Sequence, residues 1–181
     1  IARLRATEIR LEALRADKEP DFSPIYELGA DDEAASAVIE RQQRFFENQV
    51  ASLRANLDVL EARRRGALET ITIKRDQIGS EERALQALTD QLETMRSMYM
   101  QQMARLDQLR DLERQIALGE STISRLAGEQ SQARTLAADL AGQIAQARAQ
   151  RDEQVGAELV EVRENLLEAE EELLAAQDAL D

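Results

Sequence analysis

The sequence predicts an all-α protein: a long antiparallel coiled-coil hairpin with a shorter third helix packed beside its base. Three observations carry this. Charged residues make up 33% of the chain and aromatic residues 3%, with Ala, Leu, Glu, Gln and Arg dominant, which is the composition of long helices. Both prolines fall early, at Pro20 and Pro24, so no proline interrupts a helix after them. Two arrays of apolar residues at alternating steps of four and three follow, and they change phase between Tyr99 and Leu112.

Residues 1–17 read as the short first helix, with Leu4, Ile9 or Leu11, and Leu14 on one side. Residues 18–31 are a loop, because its two prolines remove helix donors and clash with the preceding turn. Phe22, Ile25 and Tyr26 are too apolar for a free linker and are expected to pack on a neighbouring helix, with Phe45 and Phe46 the nearest aromatic partners. A loop of about fourteen residues spans up to roughly 45 Å. The first helix can therefore run beside the base of the hairpin, giving three helices there and two at the tip.

The outgoing helix is assigned to 32–100, with Asp31 and Asp32 offering an N-cap and favourable charge at its start. Its seam runs Phe46, Val50, Leu53, Leu57, Leu60, Arg64, Ala67, Ile71, Lys74, Ile78, Glu81, Leu85, Leu88, Leu92, Met95 and Tyr99. Thirteen of these sixteen are apolar, so the array is a coiled-coil seam, and Arg64, Lys74 and Glu81 read as places that tune its register. The returning helix is assigned to 105–181. Its seam runs Leu109, Leu112, Ile116, Gly119, Ile123, Leu126, Gln130, Ala133, Ala137, Leu140, Ile144 and Ala147, then through Arg151 to Val155, Leu159, Val162, Leu166, Ala169, Leu173, Ala176 and Leu180. The consecutive steps of four from 147 to 159 are a stutter, which locally unwinds a left-handed supercoil.

A tip turn at 101–104 joins the two. Extended by fours and threes, the first array would place Gln102, Glu113, Glu120 and Arg134 in the seam, so the chain must change phase there. Folding back pairs helices of similar length, on the order of 100 and 115 Å. No Gly or Pro lies between Ser80 and Leu118, however, so the turn lacks its usual chemistry. An uninterrupted rod and a spectrin-like bundle with turns at residues 79–80 and 119–120 stand as the other architectures. The tip stretch holds all four methionines, and a Met-rich end is a surface that adapts to another protein.

Chemistry is bounded by what is missing. With no His and no Cys, a Ser-His-Asp or Cys-His arrangement and a zinc site of the usual ligands are excluded. No Gly-rich phosphate loop occurs, so no catalytic residue, cofactor or metal is expected and the chain reads as a non-enzyme. The net charge of −13 argues against nucleic acid. No apolar run approaches the 18 or so residues of a membrane span, so no membrane contact is expected of this piece. The chain opens at Ile1 already inside a helical pattern, which reads as a piece of a larger protein. Charge is lopsided: residues 152–181 carry eleven Asp/Glu against Arg163 alone. One straight helix cannot converge the six to eight oxygens of a calcium cage, so this reads as a solvated or partner-facing surface. Arg63, Arg64 and Arg65 offer one source of compensating charge.

Four stretches together resemble one family. They are residues 7–13 (TEIRLEA) ahead of the Pro loop, 40–53 (ERQQRFFENQVASL), 109–117 (LRDLERQIA) and 163–181 (RENLLEAEEELLAAQDALD). In this order and spacing they are similar to the helical part of HlyD-family membrane fusion proteins, the periplasmic adaptors of type I secretion systems, in the AprE/PrtE-like branch. The resemblance implies a hairpin whose tip, here Met100, Gln101, Gln102, Met103, Ala104, Arg105 and Leu106, meets a TolC-like outer-membrane channel. It further implies an inner-membrane ABC transporter as second partner, a homo-hexamer in the full-length protein, and a periplasmic place in an inner-membrane-anchored protein. A cytoplasmic coiled-coil rod serving as dimeric spacer or scaffold is the alternative.

Overall fold

The structure, a computed structural model, describes residues 1–27 and 32–178. The capping expected of Asp31 and the place of Leu180 lie outside the described residues, as does the side chain of Asp32. Four helices follow one another: α1 (Ala2–Ala16), α2 (Ser23–Tyr26), α3 (Asp32–Met100) and α4 (Leu106–Asp178), with no strand among the described residues. The long helices α3 and α4 pack together as a hairpin. Neither Gly79–Ser80 nor Gly119–Glu120 breaks a helix, so the spectrin-like alternative falls, and the fold-back after Met100 removes the uninterrupted rod. No described helix is long and apolar enough to cross a membrane.

The chain divides into two compact units, Ile1–Val59 with Gln143–Asp181, and Leu60–Gly142. The first is a three-helix base. Leu11 and Leu14 of α1 are buried with Val155 and Leu159 of α4, and Phe46 of α3 closes the cluster. A second cluster joins Ala6 to Phe22, Ile25 and Ala35, so the Pro loop does pack its apolar residues inward. Tyr26 and Phe45 depart from the expectation, each remaining 51% exposed. Ile25, with no exposed surface, already fills the space that the loop reaches.

Two residues with positive φ end the helices that need ending. At the end of α1, Asp17 takes φ 50° and ψ 44°. There the Asp17 N–H donates to the Leu14 carbonyl at 3.4 Å, and the Lys18 N–H to that of Ala13 at 3.0 Å. That pair of bonds is the Schellman closure, which satisfies carbonyls left over at a helix end.

In the second unit the seam is two-helical. Leu60, Ala67 and Leu92 of α3 and Leu109, Leu112, Leu126, Ala133, Ala137 and Leu140 of α4 are buried along it. Polar residues are woven into it. Buried Gln130 donates from Nε2 to the Ile71 carbonyl at 3.2 Å, and Lys74 Nζ meets a Glu129 carboxylate oxygen at 2.6 Å. Gly119 sits tightly against α3: a Cβ at that position would lie 3.1 Å from Leu85 Cδ1.

Candidate functional site: the hairpin tip and the base

The tip is built from the same closure that ends α1. Gln102 adopts φ 58°, the Gln102 N–H donates to the Tyr99 carbonyl at 2.9 Å, and the Met103 N–H donates to that of Met98 at 2.9 Å. This is how the chain turns without glycine: one glutamine takes the left-handed conformation, at a cost of about 1 kcal/mol. The next helix opens at Leu106. The Arg105 N–H donates to Gln108 Oε1 at 3.2 Å, half of a capping box, and Asp107 places negative charge at the helix N-terminus.

This geometry leaves the tip side chains pointing into solvent. Met100 is 86% exposed and Met103 66%, and Leu106, Tyr99 and Met98 are exposed beside them. Gln101, Gln102 and Arg105 are exposed, Arg105 pairing with Asp107 at 2.9 Å, and Ala104 is half-buried. Tyr99, placed by its spacing in the seam, is therefore at the surface. Met95 is the last methionine to turn inward, packing with Leu88 and Ile116 around buried Leu92, Leu109 and Leu112. Just below the tip Arg96 Nη2 donates to Glu113 Oε1 at 2.9 Å. The tip is thus a small apolar surface held on a packed two-helix stem.

The seam residues read from the sequence fall as follows. Leu60, Leu92, Leu109, Leu112, Leu126, Leu140 and Ile144 are buried; Leu53, Leu57, Ile71, Ile78, Leu85, Leu88, Ile116 and Ile123 are half-buried. Val50 is exposed, as is Gln49 beside it, whose Oε1 accepts from Arg10 across the base. Arg64 is exposed too, leaving the seam at that point.

The polar lining of the base escaped the sequence reading. Arg10 of α1 is buried, and its Nε donates to Gln42 Oε1 at 2.8 Å, its Nη1 to Gln49 Oε1, and its Nη2 lies 3.6 Å from Glu158. Burial pushes the pKa of that guanidinium down, and the charge of Glu158 pulls it part of the way back. Arg163 Nε donates to Glu8 Oε1 at 2.9 Å and its Nη2 to Glu12, while Arg5 bridges Glu8 at 3.0 Å and Glu170 at 2.8 Å. Arg151 caps α1 by donating to the Leu14 carbonyl and to Asp17 Oδ1 at 3.0 Å. Part of the acidic charge of α4 is therefore met by arginines of α1. A signal for Arg10 and Gln42 did exist: Thr7, Arg10 and Leu14 share one face of α1, and Gln42, Phe46, Gln49 and Leu53 keep steps of four and three. Among the described residues no group of three or more acidic side chains could hold a metal ion.

Comparison with known proteins agrees with this architecture. The family described as AprE, long alpha-helical hairpin, matches residues 1–179. The crystal structure of the soluble domain of LipC, a membrane fusion protein of a type I secretion system, is similar with a TM-score of 0.91 at 22% identity. That likeness covers 99% of this chain and 84% of that one, and it speaks for the fold. No curated protein matches the chain.

Proposed function

This chain belongs to the AprE long α-helical hairpin family, and on that premise we propose that it is the hairpin of a periplasmic adaptor subunit of a type I protein secretion system. In this reading the hairpin bridges an inner-membrane ABC transporter complex to a TolC-like outer-membrane channel. The full-length protein is anchored in the inner membrane and works as a homo-hexamer, and the chain carries out no catalysis of its own. The fold shared with a membrane fusion protein supports the adaptor role.

The observation that carries the docking assignment is the tip. Met100, Met103 and Leu106 are exposed together at a turn whose stem is closed by a buried leucine cluster. Exposed flexible side chains on a rigid stem suit an adaptable protein contact. Met103→Asp and Leu106→Asp are expected to abolish export in a secreting cell while leaving helicity and thermal unfolding of the purified protein within about 0.5 kcal/mol of wild type. Normal export by both variants would remove the tip from the mechanism.

A further inference from the structure

The base exposes two apolar spots that its own packing does not use. Phe45 is 51% exposed on α3, on a face it shares with Ala37, Glu40, Arg41, Arg44 and Asn48. On α4, Val160 is 58% and Leu167 61% exposed. Residues of opposite charge flank the two spots at mirrored spacings. Arg41 and Arg44 stand four and one residues before Phe45, whereas Glu161 and Glu164 stand one and four residues after Val160, and all four are exposed.

We propose that these two faces are the halves of one contact between copies of this chain, Phe45 of one copy packing on Val160 of the next. Two copies pointing the same way set α3 of one antiparallel to α4 of the other. Position 45 − k then faces position 160 + k, which brings Arg41 to Glu164 and Arg44 to Glu161 and lays Leu167 beside Val38. No axial shift is required, because Phe46 packs within one chain against the cluster containing Val155, Leu159 and Val162. Residues 45 and 160 are thus already level in the base. Arg44 now pairs with Glu40 at 2.8 Å, with both side chains more than two-thirds exposed, and such a pair exchanges partners at little cost. The two faces differ, so the contact is heterologous and repeats from copy to copy until it closes into a ring. The proposal rests on the oligomeric adaptor reading above and names the surfaces that reading needs.

The chain has no cysteine, which makes cross-linking clean. Phe45→Cys and Val160→Cys chains, each alone and mixed, are oxidised with tip and seam intact. A disulfide dimer is expected in the mixture at several times the yield of either chain alone, since the bond needs Cα atoms roughly 4.4–6.8 Å apart. Sedimentation over a concentration series supplies the second arm. R41E/R44E and E161R/E164R chains should each associate at least tenfold more weakly than wild type, and mixing the two should restore association. Association that persists through both charge reversals, without the cross-link, overturns this pair of faces and leaves the oligomer intact. A chain that stays monomeric at every concentration, in full-length form as well, overturns the oligomeric reading itself.

Discussion

Gln102 and Arg10 show how much individual residues decide here. At Gln102 the backbone holds a left-handed conformation that an L side chain resists, and the turn exists because two hydrogen bonds to Met98 and Tyr99 fix it. Gln102→Gly is therefore expected to stabilise the hairpin by about 1 kcal/mol in chemical denaturation, with export unchanged if Gln102 only shapes the turn. Arg10 sits at the opposite extreme: a buried guanidinium satisfied by two glutamine oxygens and a nearby carboxylate. Removing it leaves buried Gln42 Oε1 without its donor, while Gln42 Nε2 still donates to Thr7 Oγ1 and half-exposed Glu158 turns to water. Arg10→Ala should cost about 2 kcal/mol of base stability and should speed hydrogen exchange in α1 before it does so in α3 or α4.

Helices of this length are stabilised by what lies along them more than by intrinsic propensity. Each element owes its place to a stripe: α1 to Ala6, Leu11 and Leu14, α3 and α4 to the residues that face each other at steps of four and three. The stripe is thin in the second unit, where no third helix covers it, and a leucine there is worth more than its area suggests because little can collapse into its place. Leu92→Ala, in the cluster with Leu109 and Leu112, should destabilise by roughly 3 kcal/mol, read as a shift in the denaturation midpoint. The elements were legible in the sequence because this pattern is local: spacing along one chain fixes which side of a helix is greasy. Val50, Tyr99, Leu173 and Ala176, all exposed, are apolar residues that extend the pattern in sequence but not in space. Val50 stands in the three-helix base, where Phe46 and not Val50 packs on the buried cluster, and Tyr99 lies past the last buried leucine, where the chain is already turning.

At the scale of the whole molecule, charge is the term that solution conditions can move. The net charge of −13 is partly gathered into ion pairs, and Glu129 is the carboxylate most clearly held by them. Lys74 first, and Arg125 after it, keep its pKa below the ordinary value. A carboxylate whose folded pKa is depressed stabilises the fold above its unfolded pKa and stops doing so as pH falls through the folded one. The melting temperature should accordingly fall as pH drops below the usual carboxylate range, and Glu129→Gln should flatten that dependence. An unchanged slope in the variant would show that Lys74 and Glu129 are paired without consequence.

Composition, the proline pair and the spacing of leucines determined by themselves that the chain is helical and carries two apolar seams with a phase change between them, because periodicity needs no third dimension to be read. That the phase change is a fold-back was decided by the structure. Which arginine would be buried and which phenylalanine would be left at the surface were decided only when three helices met. Those outcomes depend on partners tens of residues away, and a buried donor takes whichever acceptor the packing brings within hydrogen-bond reach.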